Sequence, residues 1–191
     1  FAAFGRWVKD ESETVSATAG FQKTFHDLAA DRDLFVAKLE VVPPDAWTLR
    51  GTVWLDVYGS TDAAKGAGVE VTQAVVNTSR RWSDGTYLGL TYSHYAFPEI
   101  ERDEFLPVTD AELADDHAER FALAGVKPLS TRWRANVDLG AWIDEDDDGA
   151  NGELGFVIDD ALVEGGALEL AGFADKGRFT STVGGRCSYG H

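Results

Sequence analysis

The chain has 191 residues, 44% of them hydrophobic and 12% aromatic, with 33 Asp and Glu against 17 Lys and Arg for a net charge of -16. This length fits one domain that buries a core, and this composition excludes a disordered or fibrous chain. The charge argues against nucleic acid as a partner, because that binding relies on clustered cations that neutralise phosphates.

The acid excess is spread along the chain, with Asp over Glu and Arg over Lys. That pattern suits a halophilic protein kept hydrated where salt screens self-repulsion. A lone cysteine, Cys187, excludes an internal disulfide framework. No apolar run is long enough for a membrane-crossing helix, so the expectation is a soluble chain with no membrane span. The chain begins at Phe1 and contains no Met, so any targeting segment is out of view.

In chain order, residues 1–19 carry aromatics at Phe1, Phe4 and Trp7 and then small or polar residues, which predicts an N-terminal arm ahead of one domain over 20–191. A weak helix is predicted from Phe21 to about Ala30. Strict alternation follows at Phe35-Ala37-Leu39-Val41, at Leu49 and Val53-Leu55-Val57, and at Val69-Val71-Gln73-Val75. It recurs at Leu88-Leu90-Tyr92, from Trp133 to Ile143, at Leu154-Phe156-Ile158, at Leu168-Leu170 and at Phe179-Ser181-Val183. Turn residues such as Pro43-Pro44-Asp45, Ser83-Asp84-Gly85 and Gly165-Gly166 punctuate these runs. About eight short strands with one apolar face each predict a mainly β fold, a two-sheet jelly-roll-like β-sandwich.

One segment departs from the alternation. Thr109 as N-cap, Glu112 in the capping-box position, Leu113, His117 and Phe121 on one face, then Gly125 and Pro128, predict an inserted α-helix around residues 110–124.

For chemistry, Asp144, Asp146 and Asp148 before Gly149 resemble the opening of a calcium loop, with Glu153 as the nearest further acid. The twelfth loop position, where a bidentate Glu belongs, is Gly155, and the flanks alternate like strands. The expectation is no cofactor, with calcium at this loop as the candidate, against a solvated hairpin tip as the plainer reading. Cys187 to His191 resembles the Cys-then-His loop of cupredoxins, but the spacing is short and no Met or Gln follows, which sets copper aside. Trp54, Tyr58 and Trp142 fall on the face opposite the apolar one, where they would meet a partner or a stacked sugar.

No nucleophile-base set, phosphate loop or complete metal motif is present, which weighs against an enzyme. The expectation is a structural subunit of a larger assembly, of virion coat or cell-surface filament type, whose partners are copies of itself or other subunits, in a virion or extracellular, high-salt setting. The alternative is a calcium-stabilised carbohydrate-binding or carbohydrate-processing β-sandwich.

Overall fold

Alternation wins: every regular element among the described residues of this computed structural model is a β-strand. The structure describes residues 2–9, 14–26, 29–58, 68–96, 117–144 and 148–190. The strands are β1 (Ala2–Val8), β2 (Val15–His26), β3 (Ala29–Val41), β4 (Thr48–Tyr58), β5 (Gly68–Arg81) and β6 (Tyr87–Ala96). They continue as β7 (His117–Pro128), β8 (Trp133–Asp144), β9 (Asp148–Asp159), β10 (Ala167–Lys176) and β11 (Ser181–Gly190).

All eleven belong to one sheet in sequence order, each antiparallel to the next. This is a meander, the topology that short connections between amphipathic strands favour. Where the turns are described, their residues follow from backbone demands. Asp45 (φ 56°) sits in the β3–β4 turn, and Gly85 (φ 83°) lets β5 return as β6. Asp84 Oδ1 accepts the Thr86 N–H at 2.9 Å and closes that second turn.

The helix expected over 110–124 is corrected where it can be seen. Residues 117–124 lie in β7, and 110–116 are outside the described residues. Ala118, Ala122 and Ala124 fit either period because a methyl group suits both faces. The decision comes from the ladders: β7 pairs through ten residues with β6 and through eleven with β8. The weak helix from Phe21 to about Ala30 is corrected in the same way, since Phe21–His26 ends β2 and Ala29 opens β3, with 27–28 outside the described residues. Of the stretch read as an arm, residues 2–8 form β1, paired with Ser16–Gln22 of β2.

Register lines the side chains into rows. Leu39, Gly51, Val76, Tyr92, Phe121 and Ala141 are successive partners from β3 to β8 and make an apolar row. One residue along, Glu40, Arg50, Asn77, Thr91, Ala122 and Gly140 are successive partners on the other face. One face of the sheet is thus apolar and the other mainly polar.

The two faces differ in burial. Leu34, Ala171, Ser16, Asp56 and Thr72 are buried, and all five belong to the polar face. The apolar face is exposed: Phe35 45%, Phe121 51%, Leu139 47%, Leu154 62%. Burial confined to side chains of the polar face, with the apolar face exposed, means that the sheet curls with its polar face inward.

Candidate functional site

The curl produces a cavity of about 1120 Å³ that touches seven consecutive strands, from Arg50 on β4 to Asp175 on β10. Its space comes from missing side chains. Gly89, Ala122, Ala124 and Gly140 stand on the polar face of β6, β7 and β8, where larger residues would fill the hollow. Large side chains beside this floor lie over glycines of neighbouring strands. Trp142 packs over its partner Gly149, and Phe173 over its partner Gly184. A Cβ at Gly184 would come within 2.5 Å of the Phe173 ring, so the ring can lie flat only because glycine is there.

The charges of the polar face are organised into pairs toward its sides. On β11, Arg186 reaches Glu169 at 2.7 Å and Glu153 at 2.9 Å, and those hydrogen bonds and charges hold its guanidinium above the usual arginine value. On the other side Arg50 faces Glu40 at 3.7 Å, and Lys38 faces the same carboxylate at 3.4 Å. Thr91 donates to Asn77 Oδ1 at 2.8 Å between them. Deeper still, Asp56 is fully buried and accepts from Thr72 Oγ1. Thr72 is the extra residue of a bulge, because Trp54 pairs with Gln73 while the next residue, Leu55, pairs with Val71.

A second polar group stands on the apolar face, near the β6–β7 connection. His94 Nδ1 lies 2.7 Å from Glu119 Oε1, its register partner, and His94 Nε2 lies 2.9 Å from the Val71 carbonyl oxygen. The His117 ring stacks 6.3 Å from that of His94. Burial acts to raise the Glu119 carboxyl, but hydrogen bonding from Tyr92 and His94 and the nearby histidines together hold it below its usual value. The same contact raises the Tyr92 phenol, whose anion would face a carboxylate.

The residues singled out by sequence are distributed over both faces. Trp54 and Trp142 lie on the polar face, and Trp142 lines the cavity. Tyr58 ends β4 opposite Gly68. Asp144 and Asp148 bracket the β8–β9 turn, and with Ile143 paired to Asp148 they fall on opposite faces; Asp146 is outside the described residues. Glu153 is engaged by Arg186. No group of three metal-ligating side chains occurs among the described residues. Phe4 covers Gly20 on the polar face, Trp7 is 57% exposed on the apolar face, and Phe1 is outside the described residues.

No family model, curated protein or solved structure matches this chain.

What sequence reasoning missed is the cavity and the His94–Glu119 pair. The available signal for the first was the run of small residues at alternate positions of β6, β7 and β8. The second lay hidden because its partners are 25 residues apart in sequence.

Proposed function

We propose that this chain is a membrane-embedded β-sheet protein of the barrel type, with its apolar face against lipid and its polar face around water. One observation carries the reading: the buried side chains belong to the polar face, and within the strands the large exposed ones, Phe4 and Tyr95 apart, belong to the apolar face. In water an apolar surface spanning eleven strands is not left bare. In a bilayer that alternation is what a spanning strand requires, because the lipid side must be apolar and every backbone group must be paired in a ladder.

Strand length supports it. β2 to β11 have 10 to 14 residues, and about 9–11 suffice to cross a hydrocarbon core when tilted. The end of the sheet where β3–β4, β5–β6 and β7–β8 turn carries Trp47, Trp82 and Trp133, and the first two meet edge to face at 5.9 Å. Tryptophans at strand ends suit the membrane–water boundary. No helix among the described residues is long and apolar enough to cross a membrane, but that criterion concerns helices and has no bearing on strands. A sandwich closed on its apolar faces would bury Phe121, Leu139 and Leu154, and their exposure favours a single curled sheet instead.

Protein is the competing cover. The assembly reading, a coat or filament subunit packed on copies of itself, draws support from the edges of β1 and β11, which pair with nothing beyond β2 and β10.

The test is to fold the full chain in the presence of vesicles whose acyl chains carry bromine and to follow tryptophan emission. Trp7 and Trp133, exposed on the apolar face at 57% and 45%, should be quenched by more than half relative to unbrominated lipid, and substitution of both by Phe should remove most of that quenching. A chain that folds to a defined oligomer in detergent-free buffer and shows no quenching supports the assembly reading and rejects the membrane one.

A further inference from the structure

We propose that the apolar face fits a bilayer with a hydrocarbon core of about 22 Å, thinner than the ~30 Å of a typical membrane, so that its lipid partners are those with short acyl chains. The proposal rests on the membrane reading above and specifies the lipid.

Its ground is where that face carries charged side chains and tryptophans. One register row runs through successive partners from Ala19 on β2, by way of Ala74, Glu119 and Ile143, to Asp148 on β9. Toward the end of the sheet that holds the β8–β9 turn, β2 and β3 carry Lys23 and Asp33 four residues beyond this row. Glu119 on β7 stands in the row, and Lys176 on β10, opposite Ala150, stands two residues inside it. Toward the other end, Trp7 on β1 is two residues from the row, Arg80 on β5 six, Lys127 on β7 eight and Trp133 on β8 ten. Both boundaries therefore shift the same way, by about one residue per strand.

A belt that lies level in a membrane crosses the strands in this manner when they are tilted. One residue of rise, about 3.3 Å, for each strand spacing of about 4.8 Å is a tilt of about 35°, the value for a sheet wound with one residue of shear per strand. The tilt converts length along a strand into thickness. Glu119 and Lys127 lie eight residues apart on β7, which is about 27 Å along the strand and about 22 Å along the membrane normal. Phe121, Leu123 and Gly125 are what β7 places between them on that face. The bounding charges are paired: Lys127 with Asp84 at 2.8 Å, Lys23 with Asp33 at 2.9 Å, and Glu119 with His94 at 2.7 Å. A thicker hydrocarbon layer would submerge such pairs or have to thin around the protein, and both are costly. A covering subunit has no need of two boundaries that stay parallel as they wind across the sheet.

The full chain is folded into fluid vesicles of dimyristoleoyl-, dioleoyl- or dierucoyl-phosphatidylcholine, each mixed with dibrominated dioleoyl lipid. Tryptophan quenching then gives the relative affinity of each lipid for the protein surface. The short-chain lipid should be favoured at least twofold over the long-chain one. H94L/E119L, which extends the apolar band at one boundary, and Lys127→Leu, which extends it at the other, should each narrow that preference, with circular dichroism to show which of them keep the fold. Winding is tested with nitroxide labels on Ala19→Cys, Leu139→Cys and Ile143→Cys in a Cys187→Ser background, their depths read from collisions with oxygen and with a nickel chelate. Positions 19 and 143 share a row, yet the label at 19 should lie near mid-bilayer, level with that at 139, and the label at 143 near the headgroups. A missing or reversed chain-length preference, or equal depths at 19 and 143, overturns the proposal and leaves the membrane reading standing. Tryptophans and labels that sense no lipid at all reject both.

Discussion

Gly149 shows how a single position holds the cavity open. Any Cβ there would run into the Trp142 ring and come within 2.6 Å of the Lys176 carbonyl oxygen, so Gly149→Val must push the ring away or strain β9. Such overpacking costs about 1–3 kcal/mol, and a urea midpoint lowered to match, with no such drop for the same change at Gly172, where nothing lies within 4 Å, is the expected outcome. Glu119 makes a different argument at the same scale. Its carboxyl is held below the usual value by Tyr92 and His94 against the opposing effect of burial, so its ionised form is favoured in the folded state. A carboxyl lowered on folding adds stability above its unfolded pKa, about 4.3 for Glu, and loses it as pH falls through the folded value. Glu119→Gln should therefore be less stable than the parent near pH 7, and the gap should close as the pH is taken below about 4. Denaturant midpoints at several pH values would show this, and a gap independent of pH would remove the electrostatic account of the pair. The sequence marked Gly149 only as the glycine of a calcium-loop opening and did not mark Glu119, because a glycine's packing role and a lone glutamate's pairing become informative only once register names their partners.

Among the elements, the bulge between β4 and β5 places Thr72 against the buried carboxylate of Asp56. In an unbulged ladder, alternation from Gln73, the partner of polar-face Trp54, would turn the Thr72 side chain to the opposite face. Thr72→Val keeps the shape and deletes the donor, leaving a buried acceptor short of a partner at a cost of about 1–3 kcal/mol. Thr72→Ser keeps the hydroxyl, so it should lose clearly less in the same unfolding measurement, and equal losses would assign the effect to packing. Strands of this kind were legible in advance: the alternations at Phe35-Ala37-Leu39-Val41 and from Trp133 to Ile143 became β3 and β8. β7 was not, because "HAERFALAG" satisfies the helical period as well as the strand period, and the choice was made by unsatisfied ladders on β6 and β8 that no local pattern contains. Alternation is also silent about which face turns inward. That was decided by volume, since glycine and alanine at Gly89, Ala122, Ala124 and Gly140 let the polar face close up while Phe121, Leu139 and Leu154 need the wider convex side.

For the whole molecule, the number of strands governs how the sheet can end. Among the described residues the meander has eleven antiparallel strands, so the first and last run in the same direction and joining β1 directly to β11 would create one parallel seam in an otherwise antiparallel sheet. The two edges make no contact with each other. A second copy inserted in the same direction cannot repair this, because it would again offer a strand parallel to the edge it meets. An all-antiparallel ring needs an odd number of further strands between β11 and β1. The seam can be probed with the natural thiol. Cys187 is exposed on β11, on the apolar face with its partner Leu170, and Gly5 of β1 has nothing within 4 Å of where a Cβ would stand. Gly5→Cys should therefore fold as the parent does, and mild oxidation of the monomer should leave both thiols free, because a disulfide needs Cα atoms within about 7 Å. Intact mass after thiol labelling would count them. A quantitative internal disulfide in a chain with unchanged circular dichroism would mean that β1 and β11 meet directly, and the requirement for an intervening strand would fall with it.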